Sequence, residues 1–249
     1  MKLDVNKPLY VLGFTAVVSA FFTAAITSLQ VATAAKVKQN ETLREEKAIV
    51  SVFGLGDVAK MSEPEIFSAA RRRVDRSLVV RDPESGREFQ LFRAYRTEAE
   101  PGSPRNDQDV EAIALPFAGV GFWARITGLM ALTPDLSKVT GLVFVDQSET
   151  PGLGGRITEK EFQDKFKGLV VTPPAAGGRF LYIGGGAPSN PQDPRAGRYV
   201  DAITGATQTS LAVGKFLDDN LRQFRRAMER GPVAPAAAPL PQVRAPAGG

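Results

Sequence analysis

Three glycine-rich segments contain the residues whose types and spacing could do chemistry. They are SETPGLGGRI over Ser148–Ile157, YIGGGAP over Tyr182–Pro188 and DAITGATQTS over Asp201–Ser210. Glycines allow backbone N–H groups to approach and bind an anion, and a helix that begins directly after such a turn adds the positive end of its dipole. The third segment carries several hydroxyl side chains and leads into a long helical pattern. It therefore predicts a phosphate site.

The usual nucleotide-binding motifs are absent from these segments. The chain has no GxxxxGK[ST] loop. Neither GLGG nor GGGAP has the strand–GxGxxG–helix context with an acidic residue about 20 positions further on. The sequence thus predicts phosphate binding outside the P-loop and Rossmann folds.

The composition excludes several kinds of chemistry. The chain of 249 residues has no Cys and no His, so it forms no disulfide, no cysteine-ligated iron–sulfur cluster and no His-based catalytic triad. Any redox chemistry must then use a bound organic cofactor. The net charge is only +4 and the longest basic run is Arg71–Arg73, so a nucleic-acid partner is not expected.

Taken together, the three segments resemble the covalent-FMN domain of NqrC, from the Na+-translocating NADH:quinone oxidoreductase (Nqr), and of RnfG, from the related Rnf complex. In that family the motif D-x-x-[ST]-G-A-T-x-[TS] holds FMN by a phosphodiester to the Thr of GAT, which corresponds to Thr207 within Asp201–Thr209. The family motif ETPGLG, which lines the flavin, is Glu149–Gly154, and GGAP is Gly185–Pro188. The resemblance runs from about residue 117 to residue 230, a little under half of the chain.

The resemblance implies a covalent FMN on Thr207, with its phosphodiester at the N-terminus of the following helix. The hydroxyls of Thr204 and Thr209 are expected to donate to the phosphate. We expect Leu153 to contact the isoalloxazine ring, and Thr150 and nearby glycine N–H groups to reach its polar edge. No catalytic residue and no metal ligand is expected. The expected cofactor-binding residues are Glu149, Thr150, Gly152, Leu153, Gly154, Gly155, Asp201, Thr204, Gly205, Ala206, Gln208 and Thr209.

Smaller features separate the two branches of this family. Gly121-Phe122-Trp123 is similar to the Nqr G-x-W pattern, and Gly155 stands where Rnf proteins often have Asp. Gly184 departs from the Nqr pattern, which commonly has Lys there. The only Trp, Trp123, fits either a position near the flavin or one that fills the face of the sheet.

The N-terminal region predicts a membrane anchor. Residues 8–35 form an uncharged stretch of 28 residues, and about 20 are enough to cross the hydrocarbon core. A cleaved signal peptide is the alternative, because Ala32-Thr33-Ala34 has the small-x-small form of a cleavage site. The apolar stretch is longer than the usual h-region of about 7–15 residues, which favours the retained anchor.

The orientation of this anchor has opposing indications. Lys2 and Lys7 precede the helix, whereas four basic residues follow it closely, and the positive-inside rule alone would keep the large domain in the cytoplasm. The resemblance implies the opposite, because flavin attachment in this family takes place outside the cytoplasm. We therefore expect a single-pass protein of the cell inner membrane with a periplasmic domain.

The patterns predict an α+β fold, in which an N-terminal transmembrane helix precedes a mixed sheet-plus-helix FMN-binding domain. Four strands of one sheet are expected at Ala112–Pro116, Phe122–Leu132, Val139–Asp146 and Arg179–Ile183, followed by a helix of about five turns from Thr207 to a stop at Gly231. The expected regions are residues 1–35 (anchor), 36–110 (juxtamembrane helical and hairpin region), 111–230 (FMN-binding domain) and 231–249 (disordered Pro/Ala tail).

The function that follows is that of an electron-carrying flavoprotein within a membrane ion-translocating NADH:quinone complex. Its expected partners are the membrane, the other membrane subunits and the flavin transferase that attaches FMN. Because no His or Cys is available as a general acid, electron transfer is favoured over substrate chemistry. The alternatives are an Rnf-type electron-transport protein (RnfG), a stand-alone extracytoplasmic flavoprotein, and a non-redox module that binds a phosphate or another anionic ligand.

Overall fold

The computed structural model describes residues 8–100, 102–175, 178–190, 192–193 and 195–233. The chain divides into two compact units, residues 1–45 and 46–249. The first unit contains most of helix α1, Pro8–Phe53, where most of the large apolar side chains from Leu9 to Val37 are exposed. This helix is long and apolar enough to cross a membrane, which fits the predicted anchor.

The second unit is built on a six-stranded antiparallel sheet with the order β5-β4-β3-β2-β1-β8. A separate parallel pair is formed by β6 and β7. The strands are β1 Val74–Arg81, β2 Glu88–Tyr95, β3 Val110–Val120, β4 Arg125–Leu132, β5 Val139–Asp146, β6 Tyr182–Gly184, β7 Tyr199–Asp201 and β8 Pro232–Val233. The other helices are α2 Glu63–Arg73, α3 Lys160–Asp164 and α4 Thr207–Arg230, with 3-10 turns at Asp107–Asp109 and Gly154–Thr158.

This architecture confirms the predicted fold class, but the sheet crosses the expected boundary between residues 110 and 111. Strands β1 and β2 form the expected hairpin, and β2 also pairs with β3, so the hairpin belongs to the same sheet as the strands expected after residue 110. The expected tail also begins inside the sheet, because Pro232 and Val233 pair with β1. Residues 234–249 of that tail lie outside the described residues.

Two of the expected strands differ from the structure. The strand expected over Phe122–Leu132 begins only at Arg125, because the Gly121 N–H donates to the Ala124 carbonyl and closes a tight turn. The strand expected over Arg179–Ile183 is β6, which pairs with β7 instead of joining the main sheet. A run of apolar residues indicates a buried strand but does not say which strand it pairs with.

The main sheet is buried on both faces. One face packs against α4, with Phe117, Met130 and Phe216 in the same core cluster. The other face is covered by the end of α1, with Ile49 and Val52, and by α2. A sheet buried on both faces has strands that are apolar at nearly every position, as in β4, where the last five residues are buried.

Helix α4 is the main element packed on the first face. It has 24 residues, so it is longer than the five turns expected. Its buried positions recur at helical spacing and include Val213, Leu217, Leu221 and Phe224, all with 0% exposure. Gly231 ends it with a φ of 79°, as the sequence predicted. Because α4 packs against β3 and shares a core cluster with it, the sheet holds the helix in position.

A buried ion pair connects the β1–β2 turn to the last part of α4. Asp82 is 0% exposed and accepts hydrogen bonds from Arg226 Nε at 2.9 Å and Nη2 at 3.0 Å. The Ser85 hydroxyl and N–H also donate to its Oδ2, at 2.5 and 3.2 Å. These bonds, above all those from Arg226, hold the pKa of Asp82 well below its usual value although burial opposes them.

We predict that Asp82→Asn lowers the free energy of unfolding by about 3–5 kcal/mol at pH 7, because it leaves Arg226 without its buried partner. A lowered pKa means that Asp82 stabilises the fold above the pKa of the unfolded chain, about 3.9, and that this stabilisation is lost as the pH falls below it. Urea denaturation of the full chain in detergent at several pH values measures this.

The matched control is Glu84→Gln, which removes the exposed partner of the same arginine, 3.1 Å from Arg226 Nη1. It should cost no more than about 1 kcal/mol. Equal losses in the two variants, or a loss in Asp82→Asn that persists at low pH, would contradict this role for the pair.

Candidate functional site

The GAT motif lies in a tight turn directly before α4. The Ala206 N–H donates to the Ile203 carbonyl at 2.9 Å, and Gly205 has a φ of 83°, which a type II turn requires at its third residue. The Ile203 N–H in turn donates to the hydroxyl of the buried Ser210 at 3.0 Å. On its other side, the Ala202 N–H donates to the Gly184 carbonyl at 2.7 Å. The turn is therefore held both by α4 and by the strand that leads into GGAP.

Thr207 is the first residue of α4, and its side chain is exposed. No residue of the first helical turn is itself acidic, and the N-terminus of a helix favours a negatively charged group. Thr204 and Gln208 on either side are also exposed, whereas Ala206 is buried. The hydroxyl of Thr207 thus stands where a phosphodiester anion would be stabilised.

Asp201, the first residue of the motif, is the exposed last residue of β7 and pairs with Gly184. It lies next to the turn through Ala202, but its side chain is on the surface. Burial and the nearby Asp201 charge raise the pKa of Tyr199, the first residue of the same strand.

Glu149 is the buried centre of the site. It is 4% exposed, and its carboxylate accepts hydrogen bonds from three groups. Oε1 accepts from the Trp123 N–H at 2.9 Å and from the Ala124 N–H at 3.3 Å, and Oε2 accepts from the Thr209 hydroxyl at 2.8 Å. A buried carboxylate is tolerated when it is hydrogen-bonded in this way. Glu149 thereby joins the β3–β4 turn, the ETPGLG segment and the first turn of α4.

This geometry corrects the role expected for Thr209. Its side chain is buried, 4% exposed, and its single hydroxyl proton is donated to Glu149. A hydroxyl has one proton to donate, so Thr209 does not also donate to a phosphate. Its role is to hold Glu149 against the helix that begins with Thr207.

Glycines at two positions make room for this carboxylate. A Cβ on Gly154 would lie 2.6 Å from Thr209 Oγ1 and 2.9 Å from Glu149 Oε2, and one on Gly121 would lie 2.4 Å from Glu149 Oε1. A larger residue at either position would displace the buried carboxylate.

Two further glycines, one in ETPGLG and one directly after it, have different surroundings. Gly152 has a φ of 76° and open space where a Cβ would stand. Gly155 was expected to offer its N–H to the flavin, but this N–H donates to the Thr150 carbonyl at 3.0 Å. Leu153 also donates to that carbonyl, at 3.1 Å, so Thr150 shapes the loop through its backbone.

Exposed apolar side chains lie beside the Thr207 hydroxyl. Leu153 is 46% exposed and reaches the GAT turn, since a Cβ on Gly205 would be 3.3 Å from Leu153 Cδ2. Leu211 is also 46% exposed and lies one helical turn after Thr207, on the same side of α4. An apolar surface next to an exposed hydroxyl and a helix N-terminus fits the ring and the phosphate of FMN.

Trp123 does not fill the face of the sheet. It is 68% exposed and packs edge-on against Phe122 with 4.9 Å between the ring centroids. Its backbone N–H is held by Glu149, which leaves the ring at the surface of the turn.

Sequence reasoning missed the contributions of Ser210 and Gly121. Ser210 is the last residue of the DAITGATQTS segment, and its hydroxyl reaches back seven residues to Ile203. A Ser within the first turn of a helix after a glycine turn is a usable signal for such a bond. The contact of Gly121 with Glu149 has no local signal, because the two residues are 28 positions apart and meet only in the folded chain.

Comparison with known proteins agrees with the site. Residues 121–222 match the family model described as an FMN-binding domain. Over 112 residues the chain is 40% identical to NqrC of the Na(+)-translocating NADH-quinone reductase from Pasteurella multocida, covering 44% of this chain and 40% of that protein. Over 118 residues it is 35% identical to NqrC from Pseudomonas aeruginosa, covering 47% of this chain and 42% of that protein. The match thus spans about two fifths of the length of these curated relatives.

A solved structure shows the same fold over a larger part of the chain. It is NqrC of the Na(+)-translocating NADH-quinone reductase from Parabacteroides distasonis, with a TM-score of 0.60 and 21% identity. The superposition covers 78% of this chain and 95% of that one. Strands and helices outside the matched domain are therefore also part of a known architecture.

Residues 121–222 are thus similar to the FMN-binding domain family, the class of protein that the three motifs indicated. Within that class, the family that this domain resembles is NqrC of the Na(+)-translocating NADH-quinone reductases.

We predict that Thr209→Val destabilises the site by about 1–3 kcal/mol, because it leaves Glu149 Oε2 buried without its donor. Thr209→Ser keeps the hydroxyl and should stay close to wild type. Urea denaturation measures the loss, and amide hydrogen exchange at Trp123 and Ala124 should become faster if Glu149 moves. Thr204→Val, at an exposed position of the same segment, should change stability by less than about 0.5 kcal/mol. The same loss in both valine variants would show that Thr209 does not hold Glu149.

Proposed function

We propose that this chain is the electron-carrying flavoprotein subunit of a membrane ion-translocating NADH:quinone complex of the Nqr type, with FMN attached covalently to Thr207. The observation that carries the proposal is the position of Thr207. It is an exposed hydroxyl at the first residue of a long helix, beside the apolar side chains of Leu153 and Leu211.

The site offers FMN three kinds of interaction. The N-terminus of α4 favours the single negative charge of a phosphodiester, and the exposed Thr204 hydroxyl is available as a donor. Leu153 and Leu211 provide apolar surface for the ring. Gly205 lets the backbone turn tightly before Thr207, where its φ of 83° would strain another residue.

Attachment requires a flavin transferase that supplies an activated flavin nucleotide. The Thr207 oxygen would form a new bond to the FMN phosphorus while the bond from that phosphorus to the leaving group of the nucleotide breaks, and the hydroxyl proton would pass to the leaving group. When bound, FMN supplies the electron chemistry, while this chain binds it, orients it and tunes its electrostatic surroundings. With no His or Cys in the sequence, the chain's own residues offer little for substrate chemistry, which supports a relay of electrons between neighbouring centres.

The partners we propose are the other membrane subunits of the complex and the flavin transferase. The support is the names of the relatives, which all belong to one kind of quinone reductase. We further propose that α1 is retained as a single-pass anchor in the inner membrane and that the FMN-binding domain is periplasmic. The resemblance implies that flavin is attached outside the cytoplasm, which supports this orientation. The number of basic residues flanking the helix favours the opposite orientation.

We predict that Thr207→Ala abolishes covalent FMN, because alanine has no hydroxyl to form the phosphodiester. Thr207→Ser keeps a hydroxyl but loses the methyl group that restricts its rotamer, so partial attachment is expected. The chain is co-expressed with a competent flavin transferase, and flavin fluorescence is measured on a denaturing gel under ultraviolet light. A mass spectrum should show one FMN on a peptide that contains residues 201–215.

Thr204→Ala is the matched control, because it removes one hydroxyl from the same exposed segment. It should remain flavinylated at reduced yield, as expected for the loss of one hydrogen bond of about 0.5–1.5 kcal/mol. If the Thr207→Ala protein still shows flavin fluorescence on the denaturing gel, FMN is attached to another residue. If the wild-type chain never becomes fluorescent, the non-redox anion-binding module is the better conclusion.

The absence of Cys allows a direct test of orientation. We predict that Ser103→Cys, at an exposed position of the domain, reacts with a membrane-impermeant maleimide in intact spheroplasts. Asn6→Cys, on the other side of the apolar stretch, should react only after lysis. The reverse pattern would place the domain in the cytoplasm, and labelling of a shortened chain in the periplasmic fraction would favour a cleaved signal peptide.

A further inference from the structure

A cleft opens where strands β2 and β3 separate. The two strands pair from Phe92–Ala114 to Tyr95–Val110. Beyond Ala114, the side chain of Asn220 from α4 forms hydrogen bonds to the backbone of β3. Asn220 Nδ2 donates to the Ala118 carbonyl at 3.0 Å, and its Oδ1 accepts from the Ala118 N–H at 3.4 Å. The cleft beside this point has a volume of about 330 Å³ and is lined by Arg87, Ala118, Gly119, Val120 and Arg125.

Two guanidinium groups face this cleft, from the start of β2 and the start of β4. Arg87 is half-buried, with its guanidinium carbon 4.5 Å from the centroid of the Phe89 ring. Its Nη1 donates to Asn220 Oδ1 at 2.7 Å and to Gln223 Oε1 at 3.3 Å. Both acceptors are neutral amides, so they fix the position of the guanidinium without neutralising its charge.

Some of the other partly buried arginines of this unit are paired with carboxylates, whereas Arg198 and Arg225 donate to backbone carbonyls. Arg76, Arg93 and Arg226 each lie within 3.0 Å of a Glu or Asp oxygen. Within the part of the chain that the structure describes, neither Arg87 nor Arg125 has a carboxylate within 4.0 Å. Burial and the charge of Arg125 both lower the pKa of Arg87, as expected for a cation without a counter-ion.

We propose that this cleft binds a phosphate monoester, with Arg87 and Arg125 contacting its phosphate oxygens. A monoester carries about −1.5 to −2 charges at pH 7 and so balances both guanidiniums, whereas one carboxylate or one phosphodiester balances only one. The planar donor fork of arginine matches phosphate oxygens. A volume of 330 Å³ is at the lower end for small-molecule sites, about 300–1,000 Å³, and leaves room for an organic group beyond the phosphate.

This cleft is separate from the proposed FMN attachment. Asn220, which bonds to Arg87, follows Thr207 on α4 by 13 residues, which is roughly 20 Å along the helix. The proposal therefore does not depend on covalent FMN.

The test is calorimetric titration of the full chain in detergent, at constant ionic strength, with glycerol 3-phosphate as the probe. Arg125→Gln leaves the N-terminus of α4 unchanged, so any binding of the probe there would not be weakened in this variant. We expect saturable binding of one equivalent, weakened at least about tenfold in Arg125→Gln, which removes donors to a charged group. Arg125 is exposed, so the variant should fold. Arg96→Gln, at another exposed arginine of the same unit, should bind like wild type.

Three further probes test whether the cleft recognises the double charge and the phosphate group of a monoester. Inorganic phosphate should compete with glycerol 3-phosphate, whereas dimethyl phosphate, which has the single charge of a lipid phosphodiester, and succinate should bind at least about tenfold more weakly. Equal or tighter binding of dimethyl phosphate or of succinate would overturn the proposal. It would also be overturned if no probe binds up to about 10 mM, or if Arg125→Gln binds glycerol 3-phosphate as tightly as wild type.

Discussion

The buried carboxylate of Glu149 is the interaction on which the arrangement of the site depends. It accepts hydrogen bonds from the β3–β4 turn and from the Thr209 hydroxyl, and so joins segments that are far apart in the chain. A charged group that is 4% exposed is stable only while each of these donors stays in place. This requirement couples the ETPGLG loop to the start of α4, and it also requires glycine at positions 121 and 154.

Helix α4 serves both the core and the site. Its buried side contributes Leu217, Leu221 and Phe224 to the main core, and its last turns are held by the Arg226–Asp82 pair. Its first residue is Thr207, which remains exposed. Because the rest of the helix is anchored on a sheet buried on both faces, the N-terminus has a defined position. A cofactor attached there would be held by a rigid element instead of a mobile loop.

The charged side chains along this helix differ in whether they have a partner of opposite charge. Near Asp82 and Asp218, arginines meet carboxylates and form compensated pairs. Beside the middle of α4, the Arg87–Arg125 cleft holds two arginines that have no carboxylate partner among the described residues. An anion from outside the chain would stabilise this cleft.

The sequence by itself determined the elements and the kind of cofactor. The apolar stretch from residue 8, the strand Val139–Asp146 and the stop at Gly231 follow from local patterns, and the structure has each of them. The resemblance of the three glycine-rich motifs to the covalent-FMN family implied FMN. The phosphate site followed from the residues themselves, because turns and helix starts are encoded in neighbouring residues. Local physical chemistry was sufficient at these positions.

Only the tertiary structure decided how these elements are joined. The hairpin of β1 and β2 belongs to the main sheet, β6 pairs with β7, and the Thr209 hydroxyl turns inwards to Glu149 instead of towards a phosphate. Each of these outcomes depends on a partner distant in sequence. Strand periodicity does not specify a neighbouring strand, and a hydroxyl donates its one proton to whichever acceptor the fold brings within reach. The packing of α4 against the ETPGLG loop therefore brings Glu149 within reach of the Thr209 hydroxyl, which donates to it.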